Sequence, residues 1–118
     1  AAEGDKDQVQ AMIQGLNSAR RTRMEVELRD LARHPLSVKE LNAFEAVIFD
    51  PPRSGARIQS QIMATSKVPK IVAVSCNPST LVRDLRSLVD GGYSLQSVTP
   101  VDQFTWSRHL ELVACLQR

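Results

Sequence analysis

Two cysteines in 118 residues, Cys76 and Cys115, are too few for a disulfide framework, and no metal-type ligand spacing surrounds them. That scarcity makes a reducing cytoplasm the expected compartment. Charge of one sign is also scarce: 15 Lys and Arg against 13 Asp and Glu leave a net charge of +2, so electrostatics alone does not call for a polyanion partner. No apolar run approaches the length of a membrane span, and no charged-then-apolar leader opens the sequence as given. Internal repeats, low-complexity tracts and flexible linkers are absent as well. What is present is ordinary for a globular chain, with 42% hydrophobic and 24% charged residues in a length suited to one domain or a piece of one.

Short β-branched runs alternate with helical periods, which predicts an α/β domain with a mainly parallel sheet. Val9, Met12, Ile13 and Leu16 repeat at i, i+3, i+4 and i+7, so residues 6–19 are expected to be helical. "RMEVEL" (23–28) alternates polar and apolar like a strand with one wetter face. Pro35 and "SVKEL" suggest a loop with a short helical turn. "FEAVIFD" (44–50) reads as a strand stopped by Pro51-Pro52, since neither proline donates to a ladder. A helix over 56–66 and the buried strand "KIVAVSC" follow. The next helix runs from Pro78 to Asp90 and ends at Gly91-Gly92. "YSLQSVTPV" and "HLELVACLQ" are the last two strands, joined by "DQFTWSR".

Cys76 stands where a buried strand hands over to a helix, in "SCNPST". Pro78 suits the first helical turn and Asn77 the N-cap, which sets the sulfur beside the positive end of a helix. Such a place favours thiolate over thiol. The plainer alternative is a small apolar residue at a strand end. The carboxyl end of a parallel strand is, however, where open α/β sheets bind ligands. Asp50, in "FDPPR", ends the preceding strand and would project towards the same place; a turn-initiating Asp is the alternative. Arg53 carries less, as most such arginines are solvated. In "RHLELVAC", His109, Glu111 and Val113 share one strand face, and Leu110, Leu112 and Ala114 the other. A carboxylate between two leucines in a buried strand is costly unless paired or used, and it suits a general base. An edge strand with Glu111 in water is the alternative. Glu3, just before the first helix, and Asp30, at the end of "EVELRD", stand where nucleotide-binding α/β units place an acid for ribose hydroxyls.

The order "DPPR-G", "SCNPSTLVRDL", "GGYSL", "PVDQF" and "HLELVA" resembles the carboxyl-terminal part of the RNA uracil-5-methyltransferases. The likeness covers the whole chain and is strongest from Asp50 to Ala114. It implies a Rossmann-like class I methyltransferase sheet, S-adenosylmethionine as cofactor, and a uridine of tRNA or ribosomal RNA as substrate. It also implies roles. Cys76 would be the nucleophile that adds to carbon 6 of the uracil, and Glu111 the base that removes the carbon-5 proton. Asp50 would contact the cofactor between its methionine group and the substrate, Glu3 would bind its ribose, and Asp30 would lie on the adenine side. A pyrimidine carbon is a poor nucleophile until a soft nucleophile adds conjugately, work for which cysteine is the best side chain. Reaching the base requires flipping or an unpaired loop.

The departures carry their own expectations. The first strand and Gly-containing cofactor loop of the family's sheet would precede Glu3, and so would an RNA-binding β-barrel. Residues 1–118 are therefore expected to be a partial catalytic domain, incomplete at its amino-terminal side, weak in cofactor binding, inactive alone and open to homo-oligomerisation. "QFTWSRHLE" differs from the family's proline-bearing form. Arg20, Arg21 and Arg23 with Phe104 and Trp106 could meet RNA, or be a solvated turn and a loop packed on the core. Two rival readings remain open: a cytosine-5 RNA methyltransferase, against which "SCNP" followed by "HLE" speaks, and a noncatalytic RNA-binding or interaction remnant.

Overall fold

The computed structural model describes residues 1–18, 24–102 and 110–118. The chain divides into two units, Ala1–Pro35 and Leu36–Arg118.

In the first unit, strand β1 (Ala2–Glu3) pairs in parallel with β2 (Glu27–Leu28), with helix α1 (Lys6–Ser18) between them in sequence. Asp5 caps α1: its Oδ1 accepts from the backbone N–H groups of Asp7 (2.8 Å) and Gln8 (3.1 Å). "RMEVEL" was expected to be a strand throughout, but of its described residues, 24–28, Glu27–Leu28 alone form one, both exposed. A two-residue partner strand gives a longer ladder nothing to bond to. Residues 30–35 fold back on themselves, held by Arg29, which donates from Nε to the His34 carbonyl at 2.7 Å and from Nη2 to the Pro35 carbonyl at 2.9 Å.

The second unit opens with a single helical turn, α2 (Val38–Leu41), set by a capping box. The Ser37 hydroxyl accepts from the Glu40 N–H, and the Glu40 carboxylate accepts from the Ser37 N–H. Then come β3 (Ala46–Phe49), α3 (Arg57–Ala64), β4 (Lys70–Ser75), α4 (Pro78–Asp90), β5 (Ser94–Val101) and β6 (Glu111–Gln117). The four strands form one sheet in the order β3-β4-β6-β5. As expected, the sheet is mainly parallel, with three of its four strands pointing one way. β3 and β4 are parallel, but β6 runs antiparallel to both β4 and β5. The reversal follows from the connections: helix-bearing crossovers keep β3, β4 and β5 pointing one way, and β6 enters between β4 and β5 from the opposite end.

One face of the sheet makes the core. Ile71 and Ala73 of β4 align with Leu116 and Ala114 of β6, all four at 2% exposure or less. Helices α3 and α4 complete the cluster through Met63, Leu81, Leu85 and Leu88, joined by Leu41, Val68 and Tyr93. On α4 the apolar positions recur at i, i+4 and i+7, the spacing of one helix face. Its far end closes as a Schellman motif. Gly92 takes φ +102, and the Tyr93 N–H reaches back to the Leu88 carbonyl at 3.1 Å, with both side chains buried.

Candidate functional site

β4 carries the chain to Ser75, which is buried, and α4 starts at Pro78. Between them Cys76 is half-buried and free. Asn77 is the N-cap, its side-chain oxygen accepting from the Ser79 N–H at 3.1 Å, and Pro78 occupies the first turn. Ser75 Oγ accepts from the Asn77 N–H (3.1 Å) and donates to the Asn77 carbonyl (3.2 Å), so the backbone on both sides of Cys76 is fixed. The thiol is not walled into the core, and it stands at the amino end of a 13-residue helix.

The register shows what lies near it. β4 and β6 pair as far as Ser75 opposite Leu112, so Cys76 and Glu111 each stand one residue beyond that last pair. β3 and β4 pair as far as Phe49 beside Ala73, so Asp50 follows directly on the last pair of that ladder. Directly paired residues share a face, and alternate residues of one strand do too. Glu111 shares its face with Val113 and so with Val74, opposite the one that carries Ile71, Ala73 and Ser75. Cys76, Asp50 and Glu111 belong to one edge of the sheet, because the carboxyl ends of β3 and β4 and the amino end of β6 meet there. Glu111 is half-buried at the first position of β6, with Leu110 39% exposed just before it. β6 lies between β4 and β5, so the alternative of an edge strand does not hold, and Glu111 stands at the amino end of an interior strand. Asp50 is exposed, its strand ended by Pro51 and Pro52.

Glu3 and Asp30 belong to the first unit, at the carboxyl ends of β1 and just past β2. Glu3 Oε1 accepts from the Asp5 N–H at 3.0 Å, and Oε2 has no partner among the described residues. Asp30 is more committed. Its Oδ1 accepts from the N–H groups of Ala32 (3.0 Å) and Arg33 (3.3 Å), and its Oδ2 lies 3.6 Å from Arg33 Nε. A ribose diol asks for a carboxylate with an oxygen to spare, which Glu3 has. Arg20, Arg21, Arg23, Phe104, Trp106 and His109 lie outside the described residues.

Sequence reasoning missed the side chains of α4 that hold the loop after Asp50. Asn77 Nδ2 (3.1 Å) and Thr80 Oγ1 (3.2 Å) both donate to the Arg53 carbonyl, and Arg83 Nη2 donates to the Ser54 carbonyl at 3.0 Å. Asp84, 2% exposed, accepts from the Ala56 N–H at 2.7 Å and from Arg83 Nε at 2.9 Å. A signal was available: Asp84 falls between Leu81, Leu85 and Leu88 on the apolar stripe of α4, where an acid is out of place unless bonded.

Solved methyltransferases share this arrangement of helices and strands, and the fold is that of the Rossmann-like S-adenosylmethionine-dependent methyltransferases. A tRNA (uracil-54, C5)-methyltransferase of Pyrococcus abyssi, solved with S-adenosyl-L-homocysteine, matches with a TM-score of 0.78 and 27% identity, over 98% of this chain and 27% of that one. A precorrin-6y C5,15-methyltransferase of Geobacter metallireducens matches with a TM-score of 0.70 at 13% identity, over 100% of this chain and 65% of that one, a likeness of fold alone. The family model of the tRNA (uracil-5-)-methyltransferases matches residues 10–118, and the chain belongs to that family. Among curated relatives, an uncharacterized RNA methyltransferase of Mesorhizobium japonicum is 54% identical over 119 residues, covering 100% of this chain and 29% of its own length. One of Agrobacterium fabrum is 59% identical over 93 residues, covering 79% of this chain and 22% of its own length. The chain thus spans less than a third of the curated relatives it matches.

Proposed function

We propose that this chain is the part of an S-adenosylmethionine-dependent RNA methyltransferase that carries the reacting groups for methylation of uridine at carbon 5, in tRNA or ribosomal RNA. The observation that carries the reading is the shared end of the sheet: Asp50 just past β3, Cys76 just past β4 and Glu111 at the start of β6. Addition of a thiolate to carbon 6 and removal of a proton from the adjacent carbon 5 need a nucleophile and a base that reach one ring, and a common sheet end suits that need.

In this reading Cys76 forms a sulfur–carbon bond to carbon 6, and the ring electrons move on to make carbon 5 nucleophilic. S-adenosylmethionine, when bound, supplies the electrophilic methyl group that carbon 5 takes. Glu111 then accepts the carbon-5 proton, the double bond re-forms, and the bond to Cys76 breaks to return the thiolate. Asp50, exposed at the end of β3, would face the cofactor's methionine group. The unengaged Oε2 of Glu3 would accept from its ribose hydroxyls, and the turn fixed by Asp30 would border its adenine. Residues 1–118 are a partial catalytic domain in this account, inactive alone, with cytoplasmic RNA as the setting. Self-association of the isolated chain belongs to the same reading, since β3 is an edge of its sheet and carries Ile48 at 72% exposure.

Tritium release from RNA labelled at carbon 5 of uridine tests it, because methylation there must expel that atom. The protein to use is a chimera in which this chain replaces the corresponding segment of the Mesorhizobium japonicum relative. The chimera should release tritium, and its Cys76→Ser and Glu111→Gln forms and the isolated chain should not. Release undiminished in the Cys76→Ser form would remove the nucleophile. A chimera that leaves uridine untouched but methylates cytidine would favour the rival chemistry.

A further inference from the structure

Cys76 and the loop that follows Asp50 come from different crossovers, yet the first two turns of α4 tie them together. Four side-chain bonds join Asn77, Thr80, Arg83 and Asp84 to the backbone of residues 53–56: two to the Arg53 carbonyl, one to the Ser54 carbonyl, and one from the Ala56 N–H, with the Arg83–Asp84 pair closing the set. The pair is close, Arg83 Nη2 lying 2.8 Å from Asp84 Oδ1, while Asp84 Oδ2 serves the loop. A buried carboxylate is held in place only where its oxygens are satisfied, and here both are. Gly55 gives independent support. It has φ +80, and a Cβ there would come within 2.5 Å of Arg83 Nη2 and 2.6 Å of Asp84 Oδ2. The loop therefore lies flat against the pair with no room for a side chain between.

We infer that Thr80, Arg83 and Asp84 form a positioning clamp that locks the Asp50–Ala56 loop to the helix whose amino end presents Cys76, so that the acid and the thiol keep one fixed geometry. None of the three touches the reacting atoms in this account. Their effect passes through the loop and the N-cap. The inference rests on the catalytic reading above for its purpose, but the clamp is measurable without RNA or cofactor.

The test uses the 118-residue chain and two variants, Thr80→Val and Asp84→Asn, with two readouts well below the melting temperature. Amide hydrogen exchange follows Gly55 and Ala56, and mass spectrometry follows the rate of iodoacetamide alkylation at each cysteine. Each variant should speed exchange at these amides by about tenfold, the worth of roughly one hydrogen bond. Each should also change alkylation of Cys76 by about threefold or more while leaving Cys115 as it was. A lower melting temperature with Cys76 alkylation unchanged would make the residues merely structural and overturn the clamp. If Asp84→Asn does not fold, Thr80→Val decides alone, since it keeps the side chain's shape and removes only the hydroxyl. Failure here leaves tritium release untouched, and failure of tritium release leaves the exchange result standing, so the two ideas fall separately.

Discussion

At the residue scale the two cysteines show how chemistry and packing divide. Both are half-buried, but Cys115 stands opposite Val72 in mid-strand, whereas Cys76 follows the end of β4. Four residues separate it from Glu111, roughly 13 Å along a strand, so it cannot take the place of Cys76. Cys76, Asp50 and Glu111 were legible in the sequence because each is a reactive type at the end of an apolar run. Asp84 was not, because its use depends on a backbone N–H donated 28 positions away, from Ala56. Tyr93 is a second case of that kind. Its ring is 2% exposed, and its hydroxyl donates to the Val68 carbonyl at 2.7 Å. Tyr93→Phe leaves that carbonyl without its donor and should cost about 1–2 kcal/mol in chemical denaturation. An unchanged midpoint would show that the bond contributes nothing.

At the element scale, helices with strong caps were readable almost to the residue. α4 begins at the expected Pro78 and ends at the expected Asp90, since Asn77, Pro78 and the glycine pair act locally. Strand extents were less readable because a ladder needs a partner of equal length, and a two-residue β1 shortens β2 to match. The antiparallel entry of β6 was likewise invisible to alternation, which reports faces and not direction. The two glycines after α4 do different work. Gly92 supplies a positive φ, whereas Gly91, at φ −79, supplies space: a Cβ on it would come within 2.5 Å of the Ala64 carbonyl oxygen and 2.9 Å of its Cα. Backbone cannot swing aside as a side chain can. Gly91→Ala should therefore push α3 and α4 apart and cost about 1–3 kcal/mol, measured by thermal or urea unfolding. A cost no larger than a few tenths would mean the helices give way freely.

At the scale of the whole molecule, the two units differ in what holds them. The second has a contiguous core of twelve buried apolar residues, whereas in the first Val9 alone is buried among the described residues. A helix and a pair of two-residue strands around one valine cannot offset the entropy of ordering some thirty residues. Native-state hydrogen exchange should accordingly show α1 opening at far lower denaturant than α4; equal protection would contradict that difference between the units. Among the described residues no helix is long and apolar enough to cross a membrane. The central claim concerns one bond, from the Cys76 sulfur to carbon 6 of a uracil, and 5-fluorouridine RNA traps that bond because fluorine at carbon 5 cannot leave as a proton. The decisive measurement is peptide mapping of the chimera after incubation with this RNA and S-adenosylmethionine. The account predicts a nucleotide adduct on the tryptic peptide spanning residues 71–83, which contains Cys76, and its loss in the Cys76→Ala form. An adduct on residues 109–118, which contain Cys115, or methylated product with no adduct at all, would contradict it.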